Sequence, residues 1–269
     1  FKKLPIAHIE AGLRTNNIYF PWPEEGSRKL TDTLSTIHFA PTNFAKKNLI
    51  NEGFNRNSIY VTGNTVIDSL FFALKKIKEK PNLLYKIKKE FSFIKEKNKL
   101  ILVTAHRREN FGKPFANICK ALIKIANKNK NINIIYPIHP NPSIEIPGKK
   151  YLSKIKNIYL VKPLDYFSFV YLMSKSHLIL TDSGGIQEEA PSLSKPVLVM
   201  RDETERQEAL EAKTIKLIGT NTNRIYKEVQ LILNDNDKYQ SFLVKNNPYG
   251  NGEASKKILE ILKLRSSIK

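Results

Sequence analysis

Short, continuous apolar runs alternate with segments of helical periodicity along most of this chain. No other sequence feature restricts the fold as much. LILVTA (100–105) reads as a buried strand. The loop HRRENFG (106–112) follows, then PFANICKALIKIANK (114–128), whose Ile118, Leu122 and Ile125 fall at helical spacing. INIIYPI (132–138), NIYLV (157–161), HLILT (177–181), PVLVM from Pro196 and TIKLIG (214–219) repeat the strand pattern, and 165–176 reads as a helix. Strands apolar on both faces and separated by helices predict a parallel sheet covered on both sides, an α/β fold.

The first 63 residues keep the same rhythm in shorter form, with strands at PIAHI (5–9), IHFA (37–40) and SIYVTG (58–63) and helices at 23–36 and 43–52. An amphipathic helix is expected over 64–80, and the Lys-rich span 81–99 reads as a linker region. The expected organisation is therefore part of a Rossmann-like domain in 1–63, a full nucleotide-binding Rossmann-like domain in 64–250 and a C-terminal helix in 251–269. A half-sheet alone would leave a long apolar edge, which native proteins avoid. Strands before Phe1, or a partner over that edge, are expected. The chain starts at Phe1 without a signal-like segment, which reads as a fragment or processed piece.

Charge is the feature most easily misread. The formal net charge is +20, which by itself suggests a nucleic-acid binder. Yet 36 of the 45 basic residues are Lys, in runs such as Lys75, Lys76, Lys78 and Lys80, without interleaved aromatics. Nucleic-acid readers favour Arg forks and stacking rings. The lysines read as a solvated surface whose field attracts an anionic substrate, and no nucleic-acid partner is expected. The lone Cys119 excludes an internal disulfide and a multi-Cys zinc site, and its apolar helix face marks it as core. The histidines are scattered and HExxH is missing, so no metal is expected. No apolar run approaches the roughly 18 residues of a membrane span, so no membrane partner and a cytoplasmic location are expected.

Four segments carry chemistry. TDSGG (181–185) follows a strand and opens a helix, where Ser183 can cap and Gly184 and Gly185 let a ligand reach the backbone. Free N–H groups and the helix dipole suit a phosphate there, and Glu188 or Glu189 one turn on can accept from ribose hydroxyls. A plain capped helix with an acidic first turn is the competing reading. His106, Arg107 and Arg108 share a loop at a strand's carboxyl end, which points to a phosphate or sugar. His139, in the proline-stiffened PIHPNP (137–142), sits at the end of the next strand, where a simple turn is also a sufficient account. His8, Glu10, Arg14, Glu24, Glu25 and Arg28 crowd one short span around Pro21–Pro23. Paired carboxylates can exchange protons as acid and base. An ion-paired loop–helix junction fits the same spacing.

Taken in order, HIEAGLRT, PWPEE, FAPT, VTGNTVID, HRRENFG, HPNP, TDSGGIQEEAPSLSKPVLVMRDETERQEAL and NPYGNGEAS closely resemble the non-hydrolysing UDP-N-acetylglucosamine 2-epimerases over essentially the whole chain. The block 181–210 is the most specific part. The resemblance implies a GT-B-like fold, two Rossmann-like domains with parallel sheets and a nucleotide-sugar in the cleft, the N-terminal domain being incomplete here. It implies interconversion of UDP-GlcNAc and UDP-ManNAc for bacterial surface polysaccharide synthesis. UDP leaves C1 as the C2 proton is removed, then adds back as the proton returns to the other face. No cofactor is implied. Glu10 and Glu24 match the catalytic carboxylates, and His106 matches the histidine beside the leaving diphosphate. Ser183, Gly184 and Gly185 match the phosphate loop, Glu189 the ribose contact and Arg206 a further substrate contact. Arg107 and His139 resemble positions near a second, activating UDP-GlcNAc site. Family members commonly form homodimers. Ser27-Arg28 stands where the family usually has Asn-Arg, and the family's GTRPE and GDT segments are not among these residues. Little or no activity is therefore expected of these 269 residues alone. A hydrolysing epimerase, another GT-B nucleotide-sugar enzyme and an inactive UDP-binding remnant are the alternatives. HRREN beside DSGGIQEE argues against the first two.

Overall fold

The computed structural model describes residues 3–19, 22–243 and 247–266. In chain order its elements are β1 (Ala7–Ile9), α1 (Glu24–Leu34), β2 (Ile37–Ala40), α2 (Asn43–Asn51), β3 (Ile59–Val61), α3 (Thr65–Glu79), α4 (Pro81–Glu90), β4 (Lys99–Thr104), α5 (Lys113–Lys128), β5 (Ile132–Pro137) and α6 (Pro142–Leu152). There follow β6 (Ile158–Val161), α7 (Tyr166–Lys175), β7 (Leu178–Thr181), α8 (Gly184–Ser192), β8 (Val197–Val199), α9 (Gln207–Glu211), β9 (Ile215–Leu217), α10 (Thr222–Asn234), α11 (Asn236–Ser241) and α12 (Ala254–Ser266). The chain forms two compact units. One joins Phe1–Phe71 with Thr204–Ala212 and Asn246–Lys269; the other comprises Phe72–Glu203 and Lys213–Lys245.

The first unit is a three-stranded parallel sheet in the order β1-β2-β3. Its small core gathers Ala11, Ala40, Ala45, Leu49 and Ile59, with Phe54 against it. Gly12 adopts a φ of +84°, and a Cβ there would lie 2.3 Å from the backbone oxygen of Ala45. Only glycine lets the turn after β1 sit so close to α2. Distant segments complete this unit. Asp68 of α3 accepts from the N–H groups of Ala254 (3.1 Å) and Ser255 (2.8 Å), capping α12. Thr42 donates to Glu208 of α9, and the Tyr249 hydroxyl reaches the same carboxylate at 3.4 Å.

The second unit is a six-stranded, all-parallel sheet in the order β6-β5-β4-β7-β8-β9. In units of its own strands this is 3-2-1-4-5-6, the doubly wound Rossmann order, with the switch point between β4 and β7. Five of six β4 residues and all of β7 and β8 are buried, which explains their uninterrupted apolar runs. Ile101, Val103, Ile134, Leu178, Leu180 and Leu198 meet Phe115, Ile118 and Leu122 of α5 in one core. Each such side chain contributes roughly 1.5–3 kcal/mol of burial free energy. Cys119 is buried there, and burial pushes its thiol up to about 12.

Two spans differ from their sequence readings. In the Lys-rich 81–99, Pro81–Glu90 is helical, with Ile87 and Phe91 buried. Lysines at the exposed positions hide an amphipathic pattern that has only two apolar anchors. The loop HPNP does not end in coil either. Asn141 caps α6 by accepting from the Ser143 N–H at 2.9 Å, and Pro142 starts the helix, where its missing N–H costs nothing. Among the described residues no helix is long and apolar enough to cross a membrane.

Candidate active site

At the switch point, the carboxyl ends of β5, β4 and β7 lie side by side and present His139, His106 and the Asp182–Gly185 turn in that order. Parallel strands put all their carboxyl ends on one edge, so residues far apart in sequence converge there without special turns. The His106 and His139 rings stack with centroids 5.6 Å apart and planes 17° apart. His139 Nδ1 accepts from the Asn141 N–H at 3.1 Å, so its neutral proton is on Nε2. His106 is the more chemically tuned ring. Burial lowers its pKa below the ordinary histidine value; the Asp182 carboxylate opposes this, while His139 and Arg107 add to it.

The loop carrying His106 is tied down from behind. Asp182, fully buried, accepts from the backbone N–H groups of His106 and Arg107, both at 2.9 Å, and from Asn110 Nδ2 at 3.0 Å. Asn110 also donates to the Met200 carbonyl at 3.2 Å, and buried Arg201 Nε donates to Glu109 at 2.6 Å. Asp182, Asn110, Glu109 and Arg201, which hold the candidate loop, are the residues that the sequence reading missed. Asp182 stands inside the quoted TDSGG, directly after a strand, and that position was the available signal.

Ser183 occupies the N-cap of α8, but its side chain makes no capping bond, contrary to the expected cap. Its own N–H bonds Thr181 Oγ1 at 2.9 Å. The first-turn N–H groups of a helix have no intrahelical partners. At Gly185 a Cβ would meet nothing within 4 Å, so there is room for a ligand against this helix end. Glu189 is buried one turn on and accepts from the Tyr166 hydroxyl at 2.6 Å. Burial raises the Glu189 carboxyl above its ordinary value, and the Tyr166 bond partly offsets that.

The carboxylates of the first unit divide into structural and available groups. Glu25 is buried and accepts from the Thr15 and Asn16 N–H groups, both at 3.1 Å, which is the loop–helix junction considered from the spacing. Glu24 opens α1, is exposed, and among the described residues no side chain bonds it. Glu10 adopts a left-handed φ of +69°, a conformation uncommon outside glycine and found at functional turns. Its carboxylate lies 3.6 Å from Arg206 Nη2 and 3.4 Å from Asn64 Nδ2. Arg206 is itself buried and bonds Glu205 at 2.6 Å. His8 and Arg14 do not face Glu10's partners but converge on buried Asp32, each at 2.6 Å, and Arg14 forks to Glu52. Burial pushes Asp32 up, but the bonds from His8 and Arg14 outweigh it and hold the carboxyl below its ordinary value. Arg28 Nη1 is buried without a hydrogen-bond partner.

A profile of the UDP-N-acetylglucosamine 2-epimerase family matches residues 1–263. The chain belongs to that family. It is 52% identical over 266 residues to the UDP-N-acetylglucosamine 2-epimerase of Campylobacter jejuni, covering 97% of this chain and 69% of the relative. It superposes with a TM-score of 0.93 and 48% identity on the UDP-GlcNAc 2-epimerase of Neisseria meningitidis bound to UDP-GlcNAc, over 97% of this chain and 70% of that one. The Methanocaldococcus jannaschii UDP-GlcNAc 2-epimerase, in complex with UDP-GlcNAc and UDP, matches with a TM-score of 0.82 and 36% identity over 97% and 70%. The family resemblance and the GT-B-like pair of parallel sheets expected from the sequence therefore stand. In this epimerase-family chain, the structure brings His106 beside His139 and Asp182, and Glu10 beside Arg206. Glu24 stands exposed at the start of α1.

Proposed function

We propose that the protein carrying this sequence catalyses the reversible epimerisation of UDP-N-acetylglucosamine at C2, giving UDP-N-acetylmannosamine by elimination and re-addition of UDP. The observation that carries the proposal is the match, at TM-score 0.93 and 48% identity, to an epimerase bound to UDP-GlcNAc. The chemistry agrees with the residues present. The C2–H of a pyranoside is a poor acid, so its removal has to be coupled to departure of a good leaving group. As the C2–H and C1–O bonds break, C1=C2 forms and negative charge develops on the diphosphate. The amino end of α8 at Ser183, Gly184 and Gly185, together with His106, stabilises that charge. Glu189 binds the ribose, and Arg206 contacts the substrate while orienting Glu10. Glu10 and Glu24 carry the proton from one face of C2 to the other. Arg107 and His139 contribute to a second nucleotide-sugar site. The hydrolysing and glycosyl-transfer alternatives find no support in the matched family. A homodimer acting in the cytoplasm for surface polysaccharide synthesis completes the proposal.

The test is incorporation of deuterium at C2 during UDP-GlcNAc turnover in heavy water, followed by NMR in the protein that carries this sequence. UDP-ManNAc bearing C2 deuterium is the expected product. Glu10→Gln and Glu24→Gln should each lower turnover by about 10²–10⁴-fold while UDP binding by calorimetry changes little. Free UDP accumulating without deuterated UDP-ManNAc would sink the proposal.

A further inference from the structure

Asp182 holds more chemistry than its anchoring bonds use. Its Oδ2 accepts the three hydrogen bonds from His106 N–H, Arg107 N–H and Asn110. Its Oδ1 is buried, accepts no hydrogen bond, and lies 3.7 Å from His106 Nδ1. Anchoring the loop uses only Oδ2, and an asparagine would also place one oxygen there, although as a neutral and weaker acceptor. What asparagine lacks is the second acceptor. A buried carboxylate oxygen without a partner is costly, so its persistence calls for a group that uses it.

We propose that Asp182 is a positioning residue for His106, its Oδ1 taking the Nδ1–H so that Nε2 is turned away from the carboxylate and left free for the ligand. The 3.7 Å separation exceeds a hydrogen bond, and a small rotation of the half-exposed ring closes it. The consequence is electrostatic as well as geometric. Neutral His106 then presents a lone pair at Nε2. When an anionic diphosphate docks, Nε2 takes up a proton from solvent and becomes a charged donor, with Asp182 stabilising the imidazolium. The groups facing His106 are Asp182 from the β7–α8 turn, His139 from the loop after β5, and Arg107 from its own loop. Of these only Asp182 favours the charged ring, so without it every remaining influence acts towards neutrality. This inference rests on the reading of His106 as the residue beside the diphosphate.

Selective ¹⁵N-histidine labelling tests it, with His106→Gln assigning the His106 ring among the five histidines. In the wild-type protein neutral His106 is expected as the Nδ1–H tautomer; finding Nε2–H overturns the proposal without any variant. In Asp182→Asn the side-chain amide would face Nδ1 as a donor, so the ring should switch to Nε2–H and its titration midpoint should fall. Turnover should drop by about 100-fold or more with KM less affected, as expected of a wrong tautomer rather than a lost binding contact. An unchanged tautomer and midpoint in Asp182→Asn overturn the proposal. A switched tautomer with unchanged turnover upholds the positioning role and removes His106 from the catalytic reading instead.

Discussion

Two parallel sheets in one chain obey the same topological rule and yet are stabilised differently. In the six-stranded sheet, β7 and β8 are buried at every position and β4 at all but Lys99. In the three-stranded sheet, Ala7 and Ile9 of β1 are exposed, and Leu4, Ile6, Leu30 and Leu34 stand out to solvent nearby. Parallel strands normally need cover on both faces. The second unit supplies that cover from its own helices. Among the described residues the first unit has only a small core of Ala11, Ala40, Ala45, Leu49 and Ile59, supplemented by specific points: the turn of Gly12 against Ala45, the His8–Asp32–Arg14–Glu52 network and the Asp68 cap on α12. The edge that carries His106, His139 and the Asp182–Gly185 turn lies in the unit with the deeper core, where a rigid scaffold best holds its loops.

The sharpest way to break this comparison is to truncate equivalent apolar groups. Leu180→Ala in β7 should cost about 3–5 kcal/mol by denaturant unfolding, because a fully buried leucine leaves a cavity in a close-packed core. In these 269 residues alone, Ile9→Ala in β1, where the side chain is 46% exposed, should fall within about 0.5 kcal/mol. Comparable costs at both sites would show that the first sheet is buried in solution in a way the exposures do not describe.

A smaller effect sharpens the account of the first unit. Gly12→Ala should cost about 2–4 kcal/mol, since it combines a left-handed φ with a Cβ pressed on the Ala45 carbonyl. Gly53→Ala has a similar φ of +89° but meets nothing within 4 Å, so only about 1–2 kcal/mol is expected. Chemical denaturation of the two variants side by side separates backbone strain from steric contact. Equal costs would mean that the approach of α2 to the turn is not a source of stability.

The same contrast explains how much was legible in the sequence. The second sheet announced itself because continuous apolar runs such as LILVT and HLILT correspond to strands buried on both faces. TDSGG and HRRENFG were readable as loops at strand carboxyl ends because strand, loop and helix are adjacent in the chain. The Glu10–Arg206 approach was not readable from periodicity. It depends on 204–212 grouping with the first unit although β8 and β9 on either side belong to the second. Nor could spacing assign roles within Glu24-Glu25. Glu25 is buried against the Thr15 and Asn16 N–H groups, and that is a matter of loop closure. Asp182 was quoted but its work was invisible, because all of its partners come from another strand's loop.

The smallest effect is a difference in acid response between the units. His177, at the amino end of β7, stacks on Tyr239 of α11 with centroids 4.3 Å and planes 8° apart. Burial, reinforced by Lys99 and Lys195 against an opposing backbone bond, takes its pKa from 6.5 down to about 4. Between those values the unfolded chain binds a proton that the folded chain does not. The contribution of neutral His177 is therefore complete above about 6.5 and is lost as the pH falls towards 4. Asp32 in the first unit follows the opposite order of events. Its folded pKa lies below the ordinary 3.8, so its contribution holds throughout that window and fades only at lower pH. Hydrogen exchange between pH 6.5 and 4, corrected for intrinsic rates, should thus show α11 and β7 loosening before β2 and α2. His177→Phe keeps a stacked ring without a titrating group, and should flatten the decline of Tm over the same interval. An equally steep decline in that variant would move the acid sensitivity to groups other than His177.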